Sequence, residues 1–180
     1  MSDPRILGLC GALRGGSTNR KLLLEAARLF GPCRFEEGDL RLPLFDEDDE
    51  IAECIPAAVQ KLADQIEAAD AVLISTPEYN KAPPGVLKNA LDWVSRTKGS
   101  PWRDKPVAVM SAAAGRAGGE RSQSILRLCM VPFQPRILQG PEVHIANCRN
   151  EFDDNGRLKS ERYAATVETL MGRLRDEITR

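Results

Sequence analysis

Three short stretches hold the residues best suited to chemistry: GALRGGSTNR (Gly11–Arg20), PEYNKAPP (Pro77–Pro84) and SAAAGRAGG (Ser111–Gly119). In the first, Gly11, Gly15 and Gly16 allow another group to approach the backbone closely, and Ser17 or Thr18 suits the cap of a helix. A capped helix start leaves backbone N–H groups facing an anion. Arg14 adds a permanent charge with forked donors, and Asn19 adds a further donor. That set fits a phosphate; the plainer reading is a capped helix start beside a solvated Arg14. The stretch lacks the Gly-Lys-Ser/Thr ending of a P-loop and is not the dinucleotide pattern GxGxxG.

The second stretch sets Pro77, Glu78, Tyr79 and Asn80 directly after an apolar run, AVLIS. A flat heteroaromatic ring needs hydrogen bonds along its polar edge and a surface to lie on. Backbone N–H groups and Asn80 supply the first, and Tyr79 with the peptide planes supplies the second. Pro77, Pro83 and Pro84 stiffen the loop. Plainer roles exist for two of these residues: a helix-end carboxylate for Glu78, and packing against a helix or a second subunit for Tyr79. The third stretch is small and glycine-rich, which admits a ring to the backbone but is weak evidence alone. The chain has one histidine, His144, on the last expected strand, so no Ser–His or Cys–His pair is expected at these loops and His144 reads as structural.

Hydrophobic spacing places these stretches on a scaffold. RILGLCG from Arg5 reads as a strand, Thr18–Phe30 as an amphipathic helix, and Cys33–Leu40 as a weaker strand. LPLFDEDDE reads as a loop whose acids, Asp46 to Glu50, form a solvated segment. Ile55, Val59, Leu62 and Ile66 mark a helix face, AVLIS a buried strand, Val86–Arg96 a helix, and PVAVMSAAA from Pro106 a second buried strand. A helix follows Gly118–Gly119, then two pieces of a last strand at Ile137–Leu138 and Val143–Ile145. Tyr163, Val167, Leu170, Leu174 and Ile178 mark a closing helix. Strands alternate with helices throughout, which predicts one α/β domain over residues 1–180. Its expected form is a flavodoxin-like three-layer sandwich on a five-stranded parallel sheet of order 2-1-3-4-5. In such sheets ligands sit beyond the carboxyl ends of the strands where the order reverses, so the three stretches share one rim.

Composition narrows the function classes. The chain has 180 residues, a net charge of −1 and 28% charged residues, so it lacks the basic excess of a nucleic-acid binder. No apolar run is long enough to span a membrane, and the N-terminus has no signal pattern, so the expected compartment is the cytoplasm. Five cysteines, scattered singly, argue against a disulfide framework, a zinc site or an iron–sulfur cluster, and most read as small buried hydrophobes.

GALRGGSTNRKLL and PEYNKAPPGVLKNALDW together resemble the NADPH-dependent FMN reductase family, which includes flavodoxin-like quinone, azo and chromate reductases. The resemblance covers nearly the whole chain. Ala12 stands where the family usually has Ser, and KAPPG places Lys81 and Pro83 near the ring. The resemblance implies FMN as cofactor, NADPH or NADH as co-substrate, and a small electron acceptor: a quinone, azo compound, flavin or metal oxyanion. It also implies that Arg14, Ser17 and Asn19 hold the phosphate, that Pro77, Glu78, Tyr79 and Asn80 line the isoalloxazine, and that Ser111 and Gly115 meet its other edge. No protein side chain is then needed as a catalytic group, because the flavin carries the chemistry. A homodimer or homotetramer is expected, with Tyr79, Trp93 and Trp102 as interface candidates. The basic excess between Arg96 and Arg121 fits either the phosphates of NADPH or a solvated face, and the solvated face is preferred. The rival reading is a flavodoxin-type electron carrier without a nicotinamide site. Such carriers tend to be strongly acidic with a Ser/Thr-rich phosphate loop, unlike this chain. A third reading is a regulatory or scaffold protein that kept the fold and lost the flavin.

Overall fold

The computed structural model describes residues 3–180. Its elements run β1 (Arg5–Cys10), α1 (Thr18–Phe30), β2 (Arg34–Gly38), α2 (Glu47–Glu53), α3 (Ala57–Ala68), β3 (Ala71–Thr76), α4 (Gly85–Ser95), β4 (Pro106–Ala112), α5 (Glu120–Met130), β5 (Arg136–Ile137), β6 (Val143–Ile145) and α6 (Glu161–Ile178). All pairings in the sheet are parallel, in the order β2-β1-β3-β4-β5, with β6 also on β4. The expected order therefore stands. The last strand is in two pieces: β5 pairs with the start of β4, at Pro106 and Val107, and β6 with its end, at Met110 to Ala112.

Strand alternation sorts the core. Ile6, Leu73, Ala108 and Met110 face α1 and α6, where they meet Leu22, Phe30, Leu170 and Leu174. Their neighbours Leu7, Leu9, Val72, Ile74, Val107 and Val109 face α3, α4 and α5, against Leu62, Ile66, Leu91 and Leu126. β3 and β4 are buried at every position, as strands covered on both faces must be. Each fully enclosed leucine or isoleucine contributes about 1.5–3 kcal/mol. Gly8 lets the layers close: a Cβ there would lie 2.6 Å from Phe35 and 2.9 Å from Leu23.

Three sequence expectations change. The acidic segment is not wholly loop: Asp46 caps α2, whose first turn carries Glu47, Asp48, Asp49 and Glu50 toward the positive end of the helix. Glu50 accepts from Arg96 Nε at 2.7 Å, so part of the acidic run pairs with part of the basic stretch. Trp93 and Trp102 are core residues with 1% and 3% exposure, not rim residues awaiting a subunit. Trp93 donates to the Pro43 carbonyl at 2.8 Å and packs edge-on against Phe45. Among the cysteines only Cys148 is fully buried, Cys54 is exposed, and the other three lie between.

Candidate active site

The three loops do share the rim beyond the carboxyl ends of β1, β3 and β4, because the parallel register places Cys10, Ser75 and Met110 side by side across the sheet, one residue before Thr76 and Ser111 pair. The Gly11 N–H donates to the Ser75 carbonyl at 2.9 Å, which fastens the first loop to β3. Ser17 caps α1, its hydroxyl oxygen accepting from the Asn19 and Arg20 N–H groups at 3.2 and 3.3 Å. Among the described residues, the backbone N–H groups of Leu13, Arg14, Gly15, Gly16 and Thr18 find no protein acceptor. They lie in the segment that leads into the positive end of α1, where free N–H groups suit an anion. A Cβ at Gly15 would meet nothing within 4 Å, so the cradle is open.

The cations around this cradle are not equivalent. Arg20 is held bidentately by Glu37 at 2.8 and 2.7 Å, and Arg41 by Asp39 at 3.2 Å. Arg41 also donates to the Leu13 carbonyl at 2.8 Å, bracing the loop from the β2 side. Arg14 is exposed and has no ion pair among the described residues, so its guanidinium is the uncommitted charge. Cys10 ends β1 just beneath, donating its thiol to the Ala12 carbonyl at 3.4 Å; burial pushes its pKa above the ordinary thiol value.

The second loop is a rigid hairpin. Tyr79 and Ala82 exchange backbone hydrogen bonds at 3.0 and 3.1 Å, and the two residues between them, Asn80 and Lys81, both have positive φ, at 50° and 68°. That is a type I′ turn, and it accounts for an asparagine at this position. The Pro77 carbonyl is gripped from below by Ser122 Oγ at 2.8 Å and Thr76 Oγ1 at 3.0 Å, both fully buried. Glu78 is engaged at the start of α5: its carboxylate accepts from the Arg121 N–H at 3.2 Å and pairs with the Arg121 side chain at 3.6 Å. Its side chain therefore takes the helix-end role at the start of α5. The Glu78 and Asn80 N–H groups have no protein acceptor among the described residues, and Tyr79 is 52% exposed above them.

In the third loop Gly115 is exposed with open space at its Cα, whereas Ser111 is wholly enclosed. The Ser111 hydroxyl donates to the Gly118 carbonyl at 2.7 Å and accepts from Gln123 Nε2 at 2.8 Å. Ser111 thus braces the third loop from beneath. His144 joins the same network, its Nδ1 lying 3.0 Å from Gln123 Nε2 and 3.3 Å from Ser111 Oγ, so a Ser–His contact does occur beneath the third loop, contrary to expectation, with the serine wholly buried. The Asn19 amide is buried and bonded to β3 and β4. Sequence reasoning missed Thr76, Ser122 and Gln123, and did not foresee the pairing of Arg121 with Glu78. For Ser122 and Gln123 the signal available was polar residues on the inward face of an amphipathic helix, where a side chain is retained for its hydrogen bonds.

A larger groove, about 840 Å³, lies between β2 and α3 at the other ends of the strands. Its rim mixes Arg5, Arg34 and Lys61 with Glu36 and Asp64, and it shares no residue with the three loops.

Known proteins align with this arrangement over nearly its whole length. Residues 4–149 match the family described as NADPH-dependent FMN reductase. An NAD(P)H-dependent FMN reductase of Pseudomonas aeruginosa is 42% identical over 168 residues, 92% of this chain and 90% of that protein. A quinone reductase of Escherichia coli is 37% identical over 175 residues, 94% of this chain and 91% of that protein. Among solved structures, FerB, a flavoenzyme NAD(P)H:(acceptor) oxidoreductase from Paracoccus denitrificans, superposes with a TM-score of 0.88 at 31% identity, covering 98% of this chain and 97% of that one. With the fold, the anion cradle and the hairpin loop on one rim, and relatives of this likeness, the chain belongs to the NADPH-dependent FMN reductase family.

Proposed function

We propose that this protein is an FMN-dependent oxidoreductase that passes reducing equivalents from NAD(P)H to a small acceptor of the quinone class. The observation that carries the reading is the pairing on one rim of an open N–H cradle topped by an uncommitted Arg14 with a rigid hairpin presenting free N–H groups. The cradle matches a phosphate and the hairpin matches the polar edge of a flat ring. Bound FMN supplies the hydride-accepting and hydride-donating chemistry. The chain's own residues bind and orient. Arg14 and the α1 N–H groups neutralise the phosphate, with the Ser17 hydroxyl hydrogen as a further donor. The Glu78 and Asn80 N–H groups meet the ring's polar edge, the Tyr79 side chain covers a face, and the small residues around Gly115 leave room beside it for a second planar molecule. Azo compounds, free flavins and metal oxyanions are the alternative acceptors on the same face.

The names of the relatives support the quinone class and the use of NAD(P)H. Five free cysteines accord with a reducing compartment, and we take the cytoplasm as the site of action; no helix among the described residues is long and apolar enough to cross a membrane. We also infer a homodimer or homotetramer. Tyr79 at the rim and the exposed Ile125, Leu128 and Val131 along and just beyond α5 support a second copy. Light scattering then gives two or four times 19.8 kDa.

The deciding experiment is anaerobic. The purified protein is loaded with FMN, titrated with NADPH, and then given benzoquinone. A bound-flavin spectrum that bleaches with NADPH and returns with quinone is expected. Bound flavin that NADPH leaves unchanged favours an electron carrier, and absence of flavin binding removes the reading altogether.

A further inference from the structure

Asn19 occupies the second position of α1 and is 2% exposed. Its Oδ1 accepts from the Ser75 hydroxyl at 3.0 Å and from the Ala112 N–H at 3.0 Å, and its Nδ2 donates to the Ala112 carbonyl at 2.8 Å. Both lone-pair sites of the oxygen are therefore filled by groups from other strands. Ser75 is the hub of this arrangement. It is itself fully buried, its hydroxyl goes to Asn19 and its carbonyl accepts from Gly11 in the first loop. Ala112 is the last residue of β4 and leads directly into the third loop.

We propose that Asn19 is a positioning residue rather than a phosphate ligand: it ties the ends of β3 and β4 to each other through the start of α1 and so holds the two ring-binding loops that leave those strands in place. This rests on the FMN-binding reading above. The physical reason is that the two halves of the cofactor site stand on different elements, and parallel strands end with carbonyl and N–H groups that the sheet ladder no longer pairs. A buried primary amide supplies a donor and an acceptor at once, which suits the two groups of a single residue such as Ala112. Ser75 and Ala112 stand at the ends of the two strands from which the ring loops leave, so loosening the brace displaces those loops, and a ligand without the phosphate feels this as fully as one with it.

The test compares FMN with riboflavin, which keeps the ring and ribityl chain but has no phosphate. Affinities are measured by flavin fluorescence quenching at a temperature well below the midpoint of unfolding, for the unaltered full chain and for Asn19→Ala, Ser75→Ala and the double variant. Ser75 lies outside the cradle, so Ser75→Ala weakens the brace without touching the phosphate. Asn19→Ala is expected to weaken FMN and riboflavin in parallel, by about tenfold each, leaving their ratio within about twofold of the starting value. Ser75→Ala repeats the pattern at about three- to fivefold, and the double variant loses less than the product of the two, because the residues share one interaction. Three results overturn the proposal. A loss of FMN affinity with riboflavin unchanged makes Asn19 a phosphate ligand. A lower melting temperature with both affinities unchanged makes it purely a fold residue. If the unaltered chain binds neither flavin, the FMN reading falls and the proposal falls with it. Should Asn19→Ala fail to fold, the Ser75→Ala ratio decides alone.

Discussion

Replacing Arg14 by alanine isolates the charge that the cradle holds in reserve. Arg20 and Arg41 are committed to Glu37 and Asp39, while Arg14 is exposed and pairs with nothing among the described residues. Its removal breaks no side-chain hydrogen bond or ion pair among the described residues, so the melting temperature is expected to stay within about 1 °C. A hydrogen bond to a charged group is worth about 1.5–3 kcal/mol, and an exposed arginine belongs at the lower end. About 1.5 kcal/mol is close to tenfold in Kd. FMN affinity therefore falls by about tenfold in Arg14→Ala, while riboflavin affinity is unchanged. Arg14→Lys keeps the charge but loses the fork, so a smaller loss of about threefold is expected. Fluorescence titration at two salt concentrations checks the mechanism: added salt weakens FMN binding in the unaltered protein and weakens it less in Arg14→Ala. Equal losses for FMN and riboflavin, or no loss for either, would refute the assignment of the phosphate to this loop.

Further outcomes follow from the loops' supports. Ser122→Ala is expected to destabilise by about 1 kcal/mol in denaturant unfolding, because the Pro77 carbonyl keeps its bond from Thr76; adding Thr76→Val orphans that carbonyl and raises the loss by about 1–3 kcal/mol. Gly118→Ala sets a Cβ 2.6 Å from the His144 backbone at a φ of +60°, so Tm drops by roughly 5–10 °C in a thermal melt. Thiol labelling at pH 8, read by peptide mapping, modifies the exposed Cys54 first and Cys10 slowly. Burial raises the Cys10 pKa in the folded state, so its share of stability is complete below the ordinary thiol value and is lost as pH rises through the folded one. Cys10 labelling therefore accelerates only at alkaline pH.

Much of this molecule was legible in its sequence. Thr18–Phe30 reads as a helix because Leu22, Leu23, Ala26 and Phe30 recur on one face beneath a serine cap, and that is the helix observed. AVLIS and PVAVMSA read as central strands because continuous apolar runs must be covered on both faces. From those elements the sheet order and the shared rim follow, since parallel strands impose right-handed crossovers and put every strand's carboxyl end on one side. The break between β5 and β6 was also visible, in the turn-forming residues that separate two short apolar pieces. The α2 helix was not: it buries no side chain, so no hydrophobic period announces it.

Residue types alone determined which chemistry the loops are suited to; the tertiary structure decided which of those side chains are free to perform it. Asn19, Glu78 and Ser111 carry the same donors and acceptors in any context, yet in the folded chain each is engaged by a partner distant in sequence: Ala112 for Asn19, Arg121 for Glu78, Gln123 and Gly118 for Ser111. Trp93 and Trp102 look the same in a sequence whether they face a second subunit or the core, and packing put both in the core. Arg14 differs from Arg20 and Arg41 only in lacking a carboxylate within reach. Local pattern fixes backbone form because its periodicity is carried by near neighbours. Hydrogen-bond capacity is finite and is shared among residues that only the fold brings together.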